Sequence, residues 1–253
     1  MSDLQPIINL IKKLRGPNGC SWDQKQTLAD MPLVLLEETH EVIEAILDQN
    51  QENIKEELGD LLFVILFCFD TANKEFHLSN QDIVSSLLEK MIRRHPHVFH
   101  PEKPQISWHE IKKTETASHN RNSLLDGIPK YLPALSYAEK QGKKAARVGF
   151  DWPNIEGVID KIEEEFQELK EALKMQDRSN IEHELGDLLM SCSNLSRKMG
   201  FSAEFALRKA NQRFAKRFHW MENSSKTSLE SLSSSALEKL WVEAKIKEQS
   251  TDT

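Results

Sequence analysis

The chain has 253 residues, of which 39% are hydrophobic and 29% charged, and its net charge is −7. That length supports one large domain or two smaller ones with separate cores, and the composition excludes wholesale disorder. The acidic balance argues against stable nucleic-acid binding, because phosphate backbones are held by basic surfaces, but nucleotides remain possible ligands where metal ions neutralise both sides.

The N-terminus, Met1-Ser2-Asp3-Leu4, lacks the basic region and apolar core of a signal peptide. The longest apolar stretch, Leu61 to Phe69, is about half of what a bilayer crossing needs. A cytoplasmic protein that does not engage membranes is expected. Cys20, Cys68 and Cys192 form no CxxC pair, which argues against a zinc or disulfide framework. Cys68 and Cys192 lie in apolar helical stretches and are expected to be buried free thiols.

In chain order, Met31 to Asp48 carries Val34, Leu35, Val42, Ile43, Ile46 and Leu47 at helical spacing, with acids on another face. Asn50 and Gln51 mark a turn, and a second helix is expected from about Glu52 through Asn73. A third covers Asn80 to Arg94. The stretch 114–135 is polar and punctuated by Gly127, Pro129 and Pro133, as suits a linker of limited flexibility. Beyond it, helices are expected from about Asn180 through Met199, with Gly200 as the stop, and over Ala203 to Met221. The Ser-rich stretch 224–235 reads as a loop before a terminal helix, or as disorder. Strand signals are weak, so the class is all-α.

The chain also repeats itself. The interval from Glu38 to Glu165 is the same as that from Asp60 to Asp187, so the two blocks keep a constant offset. Leu36-Glu37-Glu38-Thr39-His40-Glu41 thus recurs as Glu163-Glu164-Glu165-Phe166-Gln167-Glu168, and Glu57-Leu58-Gly59-Asp60 as Glu184-Leu185-Gly186-Asp187. Leu88-Glu89-Lys90 with Arg94 matches Leu207-Arg208-Lys209 with Arg213, and each copy closes on Trp-x-Glu-x-Lys, at Trp108-Glu110-Lys112 and Trp241-Glu243-Lys245. Two repeats, 1–113 and 136–253, joined by 114–135, are expected.

Residues three apart share a helical face, so Glu38 points with Glu41 and Glu57 with Asp60. A hairpin brings the two pairs together, with Gly59 and Gly186 expected to admit the neighbouring helix. Four converging carboxylates repel one another and are driven to protonate unless a dication sits among them. Oxygen ligands without His or Cys favour magnesium, or manganese as a substitute, over zinc. The bland alternative is a solvated acidic face. The combined recurrence of acid pairs, glycine and following apolar residues at fixed spacing weighs against it.

Glu-Glu-x-x-Glu followed by Glu-Leu-Gly-Asp-Leu-Leu resembles the MazG signature of the all-α nucleotide pyrophosphohydrolases. Gly19-Cys20-Ser21-Trp22-Asp23, Arg93-Arg94-His95-Pro96-His97-Val98-Phe99, and 144–152 from Lys144 to Trp152 extend the likeness over nearly the whole chain. The resemblance implies hydrolysis at the α-phosphorus of a nucleoside triphosphate by a homodimer of four-helix units. Glu165, Glu168, Glu184 and Asp187 would then hold magnesium, as would Glu38, Glu41, Glu57 and Asp60 in the first copy. Glu164, with Glu37 as its counterpart, would orient the attacking water, and Lys209 and Arg213, or Lys90 and Arg94, would grip phosphate.

Lys161 adds a cation where the first copy has Val34. That difference points to the C-terminal repeat as the main source of activity. His95 and His97 read as helix-terminating or phosphate-contacting, and Trp22 and Trp152 as core, interface or base-stacking residues. Two rivals stand beside this reading. One is a dUTP-selective or phosphoribosyl-ATP pyrophosphohydrolase with the same metal cage, and the other is a helical scaffold whose acidic faces meet a basic partner.

Overall fold

The computed structural model describes residues 4–100 and 123–251. The second half of the Trp-x-Glu-x-Lys pair is among them, whereas Trp108, Glu110 and Lys112 lie outside. The chain divides into two compact units, Met1–Ser118 and His119–Thr253. Among the described residues there are helices and turns and no strands. None of these helices is long and apolar enough to cross a membrane.

The first unit runs through α1 (Gln5–Leu14), the short α2 (Ser21–Lys25), α3 (Met31–Leu47), α4 (Gln51–Phe76), α5 (Asn80–Arg94) and α6 (Pro96–Phe99). Helices α3 and α4 form a hairpin, and α1 packs on α4. Their core gathers Ile11, Met31 and Phe67, with Ile7, Leu28, Leu35, Phe63, Leu66 and Cys68 around them. The start of α5 is fixed by a capping box in which Ser79 and Asp82 satisfy each other's backbone donors. Its end is closed by His95, whose Nδ1 lies 2.7 Å from the Met91 carbonyl, next to buried Pro96. His95 and Pro96 therefore terminate the helix.

The second unit comprises α7 (Ala134–Ala146), α8 (Glu156–Met175), α9 (Arg178–Lys198), α10 (Ala203–Ser224), a 3₁₀ turn at Leu229–Ser231 and α11 (Ser234–Thr251). Helices α8 and α9 repeat the hairpin, and α7 packs on α9 as α1 does on α4. Val158, Ala172, Ala203, Met221 and Ala244 form buried apolar positions. Trp241 of α11 lies against Phe214 of α10, with ring centroids 5.1 Å apart. The Ser-rich stretch is thus a turn-bearing connection. The hairpin offset does not persist into the next helix, because α4 has 26 residues and α9 only 21.

The hairpin turns are duplicated in detail. Gln49 and Gln176, which correspond by the repeat offset, both adopt left-handed backbone, with φ of 53° and 59°. Each precedes an N-cap. The Asn50 side chain accepts from the Asn53 N–H, and Asp177 accepts from Ser179 and Asn180. A left-handed residue reverses the chain at the turn, and the cap restarts the helix.

Each unit is tied by an ion pair with the charges exchanged. Arg15, at the end of α1, is buried, its Nε lies 2.8 Å from Asp70 Oδ2 of α4, and its guanidinium sits over the Phe67 ring. The corresponding positions of the second copy are Gly142 and Arg197. There the long helix carries the cation, and Asp151 supplies the carboxylate, 2.6 Å from Arg197 Nη2 and 3.0 Å from Lys198 Nζ. Gly142 makes room for this pair, since a Cβ there would press on Asn194 Oδ1 and lie 2.7 Å from Arg197 Nε, so one of those side chains would have to shift.

Two expectations need correction and a third is narrowed. Cys192 is exposed, because the apolar stretch around it does not turn that position inward, whereas Cys68 is half-buried and burial pushes its thiol up. Trp22 is 61% exposed, which removes the core from its readings and leaves interface and base stacking. A Cβ at Gly59 or Gly186 would meet nothing within 4 Å, so neither glycine is needed for helix approach within its hairpin.

Two measurements check the anchor. Gly142→Ala should destabilise the chain by about 1–3 kcal/mol in urea through overpacking against Arg197. Hydrogen bonding from Arg197, with Lys198 adding, holds Asp151 at about 2 against the opposing effect of burial. The resulting stabilisation, about 2 kcal/mol, should be complete above the ordinary value of 3.8 and fade as pH falls toward 2. Asp151→Asn should remove that acid-dependent component from the urea midpoint.

Candidate metal centre and nucleotide site

Four carboxylates in each copy are presented by two helices, Glu38 and Glu41 by α3 with Glu57 and Asp60 by α4, then Glu165 and Glu168 by α8 with Glu184 and Asp187 by α9. In the first hairpin, oxygens of Glu38, Glu41 and Glu57 all lie within 4.8 Å of one another. In the second, the group is Glu165, Glu184 and Asp187, also within 4.8 Å. The third member therefore differs between copies, Glu41 in one and Asp187 in the other. The remaining acids are close enough to be felt, since Asp60 acts on Glu38 and Glu184 and Glu165 act on Glu168.

The first cluster is electrostatically unsatisfied. Glu38 is pushed above the ordinary carboxylate range, chiefly by burial and then by Glu41, Asp60, Glu57 and Glu37. Glu57 is raised by the same causes, with Glu41 and Glu56 its leading neighbours. Oε2 of Glu38 is buried and has no hydrogen-bond partner among the described residues. A buried acceptor without a donor costs free energy that a cation would recover.

An octahedral magnesium with bonds of about 2.1 Å sets opposite oxygens about 4.2 Å apart. Closing the observed clusters, whose oxygens span up to 4.8 Å, takes small side-chain rotations. The donor set is carboxylate oxygen throughout. The residues present fit a hard divalent cation.

The second cluster differs in holding a cation of its own. Lys161 Nζ lies 2.7 Å from Glu164 Oε1 and 2.7 Å from Glu165 Oε1. These hydrogen bonds, that to Glu164 first, raise Lys161 above its ordinary range and keep it charged. Glu165 is 4% exposed, a nearly buried carboxylate with a counter-charge in place. Glu168 is raised by burial and then by Glu184, Glu165 and Glu164, with Lys161 opposing.

His183, which belongs to no sequence motif, brings Nε2 to 3.3 Å from Asp187 Oδ2. Its counterpart in the first copy is Glu56. Comparing the repeats for exchanged charges, as for Lys161 and Val34, would have found it. Glu37 is exposed on α3, and Glu164 is held by Lys161. Lys209 and Arg213 are exposed on α10 and pair with none of the four acids among the described residues. Lys90 and Arg94 are half-buried on α5.

An all-α chain built twice on an acid-faced helical hairpin defines a duplicated class in which each copy carries its own carboxylate cluster. The MazG nucleotide pyrophosphohydrolase domain matches it twice, over residues 26–99 and 154–221. A nucleoside triphosphate pyrophosphohydrolase/pyrophosphatase MazG from Thermotoga maritima is 42% identical, covering 95% of both chains. A nucleoside triphosphate pyrophosphohydrolase of Escherichia coli K12 is 40% identical over 88% of each. An uncharacterized protein, YabN of Bacillus subtilis, is 39% identical over 94% of this chain and 50% of its own length. The chain belongs to the MazG nucleotide pyrophosphohydrolase family.

The unsatisfied first cluster makes a prediction. Ionised Glu38 destabilises the metal-free fold above the ordinary value of 4.5, and stability should rise as pH falls through its raised value. Glu38→Gln should therefore raise the thermal midpoint of chelator-treated protein near neutral pH and reduce the gain on adding magnesium. A lower midpoint in chelator would contradict this origin of the strain.

Proposed function

We propose that the chain hydrolyses nucleoside triphosphates, ribo- and deoxy-, to the monophosphate and pyrophosphate, with broad base tolerance, in control of nucleotide pools or removal of noncanonical nucleotides. Magnesium is the proposed cofactor and manganese its substitute. The observation that carries the reading is the pair of carboxylate clusters, each with oxygens within 4.8 Å across a two-helix hairpin. Family membership and the names of the Thermotoga and Escherichia relatives supply the reaction.

When bound, a divalent cation neutralises the triphosphate and stabilises the departing pyrophosphate. Glu165, Glu168, Glu184 and Asp187 would hold it, as would Glu38, Glu41, Glu57 and Asp60 in the first copy. Glu164 lies off the close group of three and is exposed, so it retains an oxygen with which to orient a water toward the α-phosphorus; Glu37 has the corresponding position. Lys161 stays protonated and can exchange a carboxylate for a phosphate oxygen. Lys209 and Arg213, with Lys90 and Arg94 as counterparts, are proposed to grip the outer phosphates.

The C-terminal repeat is proposed to carry most of the turnover, because it alone has Lys161 where the other has Val34. Repeat limits of 1–113 and 136–253, joined by 114–135, are proposed as the functional units. A homodimer is proposed as well. Leu58 and Ile65 on α4, Leu87 and Leu88 on α5, and Leu185 and Leu189 on α9 are exposed, and a second copy would cover such faces in a four-helix arrangement. An acidic, nucleotide-directed protein of the cytoplasm without stable nucleic-acid binding is consistent with the net charge of −7.

The test is product analysis with each nucleoside triphosphate, with magnesium and with chelator. Magnesium-dependent monophosphate and pyrophosphate are expected, and diphosphate with phosphate would reject the mechanism. A dUTP-only or phosphoribosyl-ATP-only profile would reject broad tolerance. In the same assay Glu168→Ala should lower turnover by about a hundredfold or more, while Glu41→Ala leaves most of it. The reverse pattern would move the activity to the first repeat.

A further inference from the structure

The two clusters meet the same repulsion in different ways. In the first, Glu38 Oε2 is buried without a hydrogen-bond partner among the described residues, and the position that matches Lys161 is Val34. In the second, Lys161 places its ammonium 2.7 Å from Glu165, whose side chain is only 6% exposed, and 2.7 Å from Glu164. Further along the hairpin, the first copy adds Glu56 where the second has His183 beside Asp187. The second cluster is thus partly neutralised by a lysine of its own helix, for which the first helix has an uncharged valine.

A divalent cation entering the second cluster competes with the ammonium for Glu165. If the lysine is displaced, it leaves two carboxylates and needs another anion, because an unpaired ammonium against a positive ion is repelled. Its side chain is 34% exposed and mounted on a flexible four-carbon stem, so it can swing without moving α8. The anion that fits is a phosphate oxygen of the triphosphate. Cation and nucleotide then favour each other's binding at the second site, and by linkage the effect is mutual. No such exchange is required at the first.

Resting on the reading of both clusters as divalent-cation sites, we propose that Lys161 is a built-in counter-ion that holds Glu165 at the edge of the C-terminal cluster, in competition with a cation, until a triphosphate takes it up. A free divalent cation accordingly loads the N-terminal cluster first, and the C-terminal cluster fills together with nucleotide. The lysine thereby links cation occupancy of the C-terminal site to the presence of substrate.

The test uses the full chain and manganese alone, followed through the electron paramagnetic resonance signal of the free aquo ion. Wild type should bind manganese tightly at one class of site without nucleotide, and the double variant Glu38→Gln/Glu41→Gln should lose it. In that double-variant background Lys161→Met should tighten manganese binding by about tenfold, and Lys161→Arg, which keeps the charge, should not. A non-hydrolysable triphosphate analogue should tighten manganese binding in the lysine-containing chain far more than in the methionine variant.

Equal loading of both clusters in nucleotide-free wild type would overturn the role of Lys161 and leave the cation reading standing. Unchanged or weaker manganese binding in Lys161→Met would do the same. Retention of no manganese by either cluster, even with the analogue, would remove the cation reading and this proposal together.

Discussion

Mutual repulsion among carboxylates held on facing helices is the constraint on which the rest of the structure depends. A helical hairpin closed by a tight turn gives acids on its two arms little freedom to separate. Those of Glu38, Glu41 and Glu57 stay within 4.8 Å of one another, as do those of Glu165, Glu184 and Asp187. Burial strengthens the repulsion because it removes the water that would screen it. Left-handed Gln49 and Gln176, the caps at Asn50 and Asp177, and the packing of α1 on α4 and α7 on α9 all serve to hold these arms in place. Such expense in local stability is characteristic of functional sites.

Duplication preserved the geometry and let the charges diverge. At the anchor, Arg15 and Asp70 in one unit correspond to Gly142 and Arg197 in the other, with Asp151 brought in to complete the pair. At the cluster, Val34 and Glu56 correspond to Lys161 and His183. In both places the helices keep their packing while the charges change, the anchor re-forming its pair with other residues and the cluster gaining a cation in the second copy only. This is how a duplicated unit can hold its fold and change its ligand requirements, since packing depends on the apolar stripe and binding on the charges beside it.

Much of this was legible in the sequence because helical periodicity and a constant repeat offset are one-dimensional signals. The hairpins, the third helix at Asn80–Arg94 and the gathering of three acids from each quartet follow from spacing alone. What escaped is what depends on distant partners. The inference that Gly59 and Gly186 admit a neighbouring helix failed because spacing does not say which side of a helix faces its partner, and both glycines face open space within the chain. Cys192 looked buried for the same reason. The Asp151–Arg197 anchor joins residues 46 positions apart with no shared motif, and the requirement for Gly142 appears only once Arg197 is in place. Lys161 was legible as an extra cation, but its seat between Glu164 and Glu165 was not.

On the proposed reading, a nucleoside triphosphate and a divalent cation together relieve the strain that the hairpins maintain. The most direct test is anomalous diffraction from crystals grown with manganese and a non-hydrolysable triphosphate analogue. The account predicts anomalous peaks among Glu165, Glu184 and Asp187, with Glu168 drawn in, and among Glu38, Glu41 and Glu57. Nucleotide bound with no peak at either cluster would contradict the claim that these carboxylates are gathered to hold a cation.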